Sequence, residues 1–171
     1  RECAESVTAW GRYYIQDVIA KAQKDGFHIL YSDTDSIFFA LDKKSTADAL
    51  RFVEKVNQSL PKLMELEYEN HYPAGIFVSM KGLKGSETGA KKKYALMDEH
   101  GVMKVRGFET VRRNWSFIAK DLQRDVLGMV LKDRNPERAL KHVRQIIKEL
   151  RDHAVPVEQL AIFTHLQKGI G

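Results

Sequence analysis

The segment Tyr31-Ser32-Asp33-Thr34-Asp35-Ser36 lies between two apolar runs, Phe27-His28-Ile29-Leu30 and Ile37-Phe38-Phe39-Ala40-Leu41. Aliphatic, aromatic and β-branched residues on both sides of a short Asp- and Ser-rich interval are the pattern of a β-hairpin. Such a hairpin puts two carboxylates close together at a solvent-facing tip, both negative and able only to accept hydrogen bonds. Their repulsion has two resolutions. A hard divalent cation neutralises the pair, or Asp33 and Asp35 cap backbone groups in an Asx-rich turn. The hexapeptide alone leaves both open.

With 171 residues, the chain suffices for one domain or two small lobes, and a globule of this size buries roughly 70% of its unfolded surface. No apolar run approaches the roughly 18 residues of a membrane span, and the first residues lack a signal-peptide pattern. Cys3 is the only cysteine, which excludes internal disulfides and cysteine-based zinc sites and fits a reducing interior. The six histidines show no ligand spacing.

The net charge of +5 is unevenly spread. Residues 1–80 hold 9 Lys and Arg against 12 Asp and Glu, whereas residues 104–151 hold 13 against 6. A polyanion lying across both halves would be held by the second while cations gather at the first. A solvated helical surface carries similar charge, so the asymmetry by itself favours nucleic acid only slightly.

The remaining pattern reads α–ββ–α–βββ–ααα. Helical spacing runs from Ala4 to Lys24, with Gly26 as a stop. No capping residue precedes it, so Arg1 is expected to continue a helix that begins elsewhere. Ser45-Thr46-Ala47-Asp48 resembles a helix start, followed by a stripe of Leu50, Val53, Val56 and Leu60, with a boundary at Pro61. Strands are expected at Ile76 to Met80, Lys93 to Met97 and Val102 to Val105, the last two joined by Asp98-Glu99-His100-Gly101. The glycines Gly82, Gly85 and Gly89 lack phosphate-loop spacing. Helices follow from Ser116 to Leu131 and from Pro136, the latter with Leu140, Val143, Ile147 and Leu150 expected inward and Arg138, Lys141, Arg144, Lys148 and Arg151 outward. A third short element begins near Pro156.

Three more clusters carry chemistry. Lys91-Lys92-Lys93-Tyr94 enters the second hairpin, so alternate side chains share a face; ammonium groups beside an aromatic ring suit phosphates and base edges. Arg106-Gly107-Phe108-Glu109 and Arg112-Arg113-Asn114-Trp115 follow. Taken singly, each also fits a solvated basic patch.

In this order, the clusters resemble the family B DNA polymerases, in particular archaeal and viral-like members. Tyr31 to Ser36 resembles that family's third palm motif, usually Tyr-Gly-Asp-Thr-Asp-Ser, and Lys91 to Tyr94 its Lys-Lys-Arg-Tyr motif. Arg106 to Trp115 is similar to the segment joining palm to thumb, and Glu2 to Thr8 to the helix from fingers to palm. Departures are Ser32 for Gly, Lys93 for Arg and Asn114 for Asp; the last puts a local salt bridge in doubt. The earlier palm motif with the second catalytic carboxylate, the fingers helix and an exonuclease domain do not occur in these 171 residues.

The resemblance implies an α+β fold: a partial palm of antiparallel hairpins with packed helices over residues 1–106, then an α-helical thumb over 107–171. It implies nucleotidyl transfer with two Mg²⁺ ions about 3.5–4 Å apart. Asp35 would be a direct metal ligand, Asp33 a secondary ligand or electrostatic support, and Thr34 would lie at the nucleotide. The site would be completed by a carboxylate outside this chain. Lys92 and Tyr94 would grip the primer end; Lys91, Lys93, Arg112 and Arg113 would meet phosphates, with Arg106, Gly107 and Glu109 beside them. Implied partners are primer–template DNA, dNTP and a larger chain carrying the N-terminal, exonuclease, remaining palm and fingers segments, with no membrane. The implied compartment is the cytoplasm of a prokaryote, archaeal by flavour, or the nucleus if eukaryotic. Two other readings stay open: an inactive DNA-binding accessory module with this fold, and a small nuclease using Asp33 and Asp35.

Overall fold

A computed structural model describes residues 2–79, 89–111 and 114–163. Gly82, Gly85, Arg112 and Arg113, like Arg1, lie outside the described residues, as does the side chain of Lys91. The fold is α+β and divides into two compact units, residues 1–71 and 72–171.

The first unit holds helix α1 (Glu2–Lys24), the antiparallel hairpin β1 (His28–Ser32) and β2 (Ile37–Ala40), and helix α2 (Thr46–Asn57). Its core is Val18 and Ala22 of α1, Phe27, and Phe52 and Val56 of α2, with Ile29, Ile37, Phe39, Leu41, Leu60 and Leu66 packed against it. The rings of Phe27, Phe39 and Phe52 interlock with centroids 4.6 to 6.1 Å apart. Each such burial contributes about 1.5–3 kcal/mol. Only the C-terminal part of α1 is buried; Val7 and Trp10 are exposed.

Ser45 begins α2 as expected. Its hydroxyl accepts from Asp48 N–H, and the Asp48 carboxylate accepts from Ser45 N–H, a reciprocal capping box. These bonds and the neighbouring Arg51 push the Asp48 carboxyl well below its ordinary range, the Ser45 backbone bond contributing most. Replacing Ser45 with Ala is expected to cost about 1 kcal/mol by chemical denaturation. The expected inward stripe holds at Val56 and Leu60 but not at Leu50, where the buried positions are Ala49 and Phe52. Ala49, Phe52 and Val56 are buried, whereas Leu50 is 44% exposed, because the large ring of Phe52 takes the site facing β1 and β2.

The second unit builds on an antiparallel sheet ordered β3 (Ala74–Ser79), β4 (Gly89–Met97), β5 (Met103–Arg106). A 3-10 turn (Glu109–Val111) leads to helices α3 (Phe117–Leu131), α4 (Pro136–Arg151) and α5 (Val157–Leu160). Ala95, Met97, Phe108, Leu127 and Leu131 form the core, so α3 lies on the sheet. Pro136 occupies the first turn of α4 behind an Asn135 cap that accepts from Arg138 N–H. Here too the inward face differs from expectation. Ala139 is buried, while Leu140, Ile147 and Leu150 are exposed along the helix that packs on α3. No helix among the described residues is long and apolar enough to cross a membrane.

Candidate functional site

The Asp-Thr-Asp tip is set by the hairpin's last pair, Ser32 opposite Ile37, and by Asp33 N–H donating to the Ser36 carbonyl at 2.9 Å. Asp33 Oδ1 then accepts from Thr34 N–H at 2.8 Å and from the Thr34 hydroxyl at 3.2 Å. Asp33 thus shapes the turn, as the Asx reading anticipated. Asp35 does not. Its carboxylate is exposed and makes no hydrogen bond or ion pair among the described residues. Ser32 is not at positive φ, so serine stands there without strain where glycine is commoner.

Sequence pattern does not reveal that β1 is bulged. Ile29 pairs with Phe39 and Tyr31 with Phe38, which leaves Leu30 as an extra residue, 49% exposed. A bulge bends and twists its strand and re-aims the side chains beyond it. Here it turns Tyr31, Ser32 and Asp33 relative to the core residue Ile29.

In the second unit, β4 departs from regular pairing at its lysines. Tyr94 lies opposite both Phe77 and Arg106, but the next pair of β3 and β4 is Ser79 with Gly89, which leaves one residue between the pairs on β3 against four on β4. Lys92 lies in this irregularity at φ +58°, so simple alternation of side chains fails there. Gly107, at φ +69°, sits on it: a Cβ at Gly107 would stand 2.0 Å from the Lys92 carbonyl oxygen. The two motifs read separately in sequence are therefore in contact, and the glycine makes that contact possible.

Lys93 is drawn inward. Its ammonium lies 3.0 Å from Glu109 Oε1 and 5.1 Å from the Phe108 ring centroid. Glu109 Oε2 accepts from Gln123 Nε2 at 2.7 Å, and Gln123 Oε1 accepts from Thr110 N–H at 2.9 Å. A chain of bonds thus ties β4 through the 3-10 turn to α3. Gln123 first, then Lys93, hold the Glu109 carboxyl at about 2, below its ordinary 4.5. Because the folded value is the lower one, this stabilisation is complete above about pH 4.5 and is lost as pH falls through about 2. Glu109→Gln is expected to lose about 1–2 kcal/mol at neutral pH. The deficit against the parent chain should shrink between pH 4.5 and 2, as followed by denaturation at stepped pH.

The expected site residues fall into two groups. Asp33, Thr34 and Asp35 share one hairpin tip. Lys92, Lys93, Tyr94, Arg106, Gly107 and Glu109 converge on β4, β5 and the 3-10 turn. Tyr94 is buried, and Arg106 is exposed. Sequence reasoning missed Gln123 and Thr110, polar residues in a helix and a turn that no local pattern marks.

The described residues contain no group of three or more His, Cys, Asp or Glu side chains able to hold a metal ion. Asp35 nonetheless offers a free oxygen donor of the kind Mg²⁺ takes, one or two carboxylates alongside water and phosphate oxygens.

The sequence model of DNA polymerase family B matches residues 1–170. This chain belongs to that family. It is 42% identical to a DNA polymerase of Pyrococcus horikoshii over 99% of this chain and 13% of the relative. It is 44% identical to DNA polymerase 1 of Pyrococcus abyssi over 94% of this chain and 20% of the relative. With a DNA polymerase of Methanocaldococcus jannaschii the identity is 43% over 98% of this chain and 10% of the relative. The chain thus spans only about a tenth to a fifth of the length of the polymerases it matches.

Proposed function

We propose that this family B chain supplies part of a DNA-directed DNA polymerase: one catalytic metal-binding aspartate and the grip on primer–template DNA. The free Asp35 carboxylate at the hairpin tip carries this reading, taken with the family match over residues 1–170. Residues 1–106 act as the last part of the palm and 107–171 as thumb. Asp35 is the direct ligand of Mg²⁺, which when bound supplies charge neutralisation for phosphoryl transfer. Asp33 holds the tip through Thr34 and adds negative potential beside the primer terminus, with Thr34 at the incoming dNTP.

On the basic side, Lys92 and Tyr94 hold the primer end by duplex shape, while Lys91, Arg106, Arg112 and Arg113 meet phosphates. Such contacts position DNA without specifying sequence, as copying requires. Lys93, Gly107 and Glu109 keep the irregular turn of β4 in place beneath them.

One carboxylate is not a two-metal site, so activity requires a partner segment that brings a second carboxylate and the fingers. Primer extension with Mg²⁺ tests this, using the chain alone and then mixed with an N-terminal palm-and-fingers fragment. Extension only in the mixture is expected; normal extension by the chain alone would sink the proposal. The second reading, a DNA-binding module without catalysis, draws on the lack of a three-ligand group among the described residues. It predicts primer–template binding and no extension in either arm.

A further inference from the structure

Helix α1 carries one apolar stripe in two environments. Val7, Trp10, Tyr14, Val18 and Ala22 recur at steps of three and four residues and so share a face of the helix. The C-terminal end of the stripe, Val18 and Ala22, closes the core of the first unit against Phe27, Phe52 and Val56. Its N-terminal end is bare. Every residue from Glu2 to Trp10 is exposed, Val7 at 71% and Trp10 at 59%.

The bare end is already arranged. Trp10 stacks on Tyr14 with ring centroids 5.9 Å apart, and Tyr13 meets both rings edge-on at 5.7 and 5.3 Å. Rings that brace one another lose little freedom on association, and Trp and Tyr are the side chains that most often anchor protein interfaces. A helix shorter than roughly 12–15 residues is marginal by itself in water, so a surface that covers this end also stabilises it.

Three observations choose the occupant. Between Glu2 and Tyr14 the charged residues are Glu2, Glu5 and Arg12, two carboxylates against one cation, which disfavours DNA phosphates and anionic bilayers. The stripe continues an existing protein core instead of forming an isolated patch. The chain spans only about a tenth to a fifth of the polymerases it matches, so most of the polypeptide in those proteins has no counterpart here. We propose that the Val7, Trp10 and Tyr14 stripe is the docking surface for the larger chain that brings the remaining palm, which lays an apolar patch along α1 and extends the core of the first unit. The inference rests on the polymerase reading and gives its partner a place to bind.

The test is calorimetric titration of the 171-residue chain with the N-terminal palm-and-fingers fragment, beside primer extension across a range of fragment concentrations. Trp10→Ala should weaken association about 30-fold or more, and Val7→Asp about 10-fold. Each should raise the fragment concentration for half-maximal extension by the same factor and leave the rate at saturating fragment unchanged, a split that separates docking from chemistry. Val157→Asp, exposed in the second unit, should change nothing. The thermal midpoint of the free chain should hold in both α1 variants, because the side chains removed are exposed. A fall of more than about 4 °C would assign the stripe to the chain's own fold and overturn the proposal. If the fragment binds and restores extension but the α1 variants match the parent, the docking surface is wrong and the polymerase reading survives. Binding that the variants weaken, with no extension in any arm, supports the docking surface and overturns the catalytic reading. No association of the fragment with the parent chain would overturn both. Sedimentation of the chain alone and anisotropy of a labelled primer–template check the other occupants: a dimer dissolved by Trp10→Ala, or DNA binding lost in that variant, would overturn the assignment.

Discussion

Asp35→Ala should reduce primer extension in the complemented mixture by about 10³-fold or more while leaving thermal stability unchanged. The size reflects the several kcal/mol that a bound divalent ion contributes to a phosphoryl-transfer transition state, at about 1.4 kcal/mol per decade. The lack of a stability effect reflects the exposed, unengaged carboxylate. Asp33 should behave differently. Asp33→Asn keeps an oxygen to accept from Thr34 N–H and removes only charge, so a smaller loss is expected; Asp33→Ala should also loosen the tip. A tolerated Asp35→Ala beside an abolished Asp33→Asn would exchange the two roles. Loss of activity in both with full retention of primer–template binding is compatible only with a site that needs both charges.

Gly107→Ala should destabilise far more than Ser45→Ala or Glu109→Gln, at about 3 kcal/mol or more. Alanine at φ +69° carries a backbone strain of about 1–2 kcal/mol. The larger part comes from the Lys92 carbonyl oxygen, 2.0 Å from the added Cβ, which is backbone and cannot swing aside. Relief would require β4 and the residues after β5 to separate, breaking the Tyr94–Arg106 pairing and pulling Lys93 from Glu109. Denaturant unfolding followed by Trp115 fluorescence in a Trp10→Phe background reports on this unit alone. A loss under about 1 kcal/mol would mean that the strand pair yields easily.

Much of the architecture was legible because punctuation and period agreed. Ser45, Pro136 and the turn at Asp98 to Gly101 each stood where an element begins or ends. The pairing of β4 with β5 followed from their short connection. Which face of a helix is buried was harder to read. In α2 and α4 the apolar residues cover more of the circumference than the core uses, so Phe52 and Ala139 are buried while Leu50 and Leu140 stay exposed.

The candidate site was legible as motifs but not as assembly. Nothing local announces that Gly107 rests on Lys92, or that Glu109 takes Lys93 away from solvent. Those are consequences of chain reversal between β4 and β5. Gln123 joins them only because α3 folds back over the 3-10 turn.

The bulge at Leu30 has a lasting effect on which changes the hairpin tolerates. Five residues of β1 run against four of β2, so the two arms differ in parity. Removing one residue from the longer arm would restore uninterrupted pairing and could leave the hairpin no less stable. It would also rotate everything between that point and the tip by half a pleat, carrying Tyr31 and Asp33 to the opposite side of the ribbon. Length variation in this arm is therefore confined to steps of two: a single-residue indel keeps the fold and loses the aim.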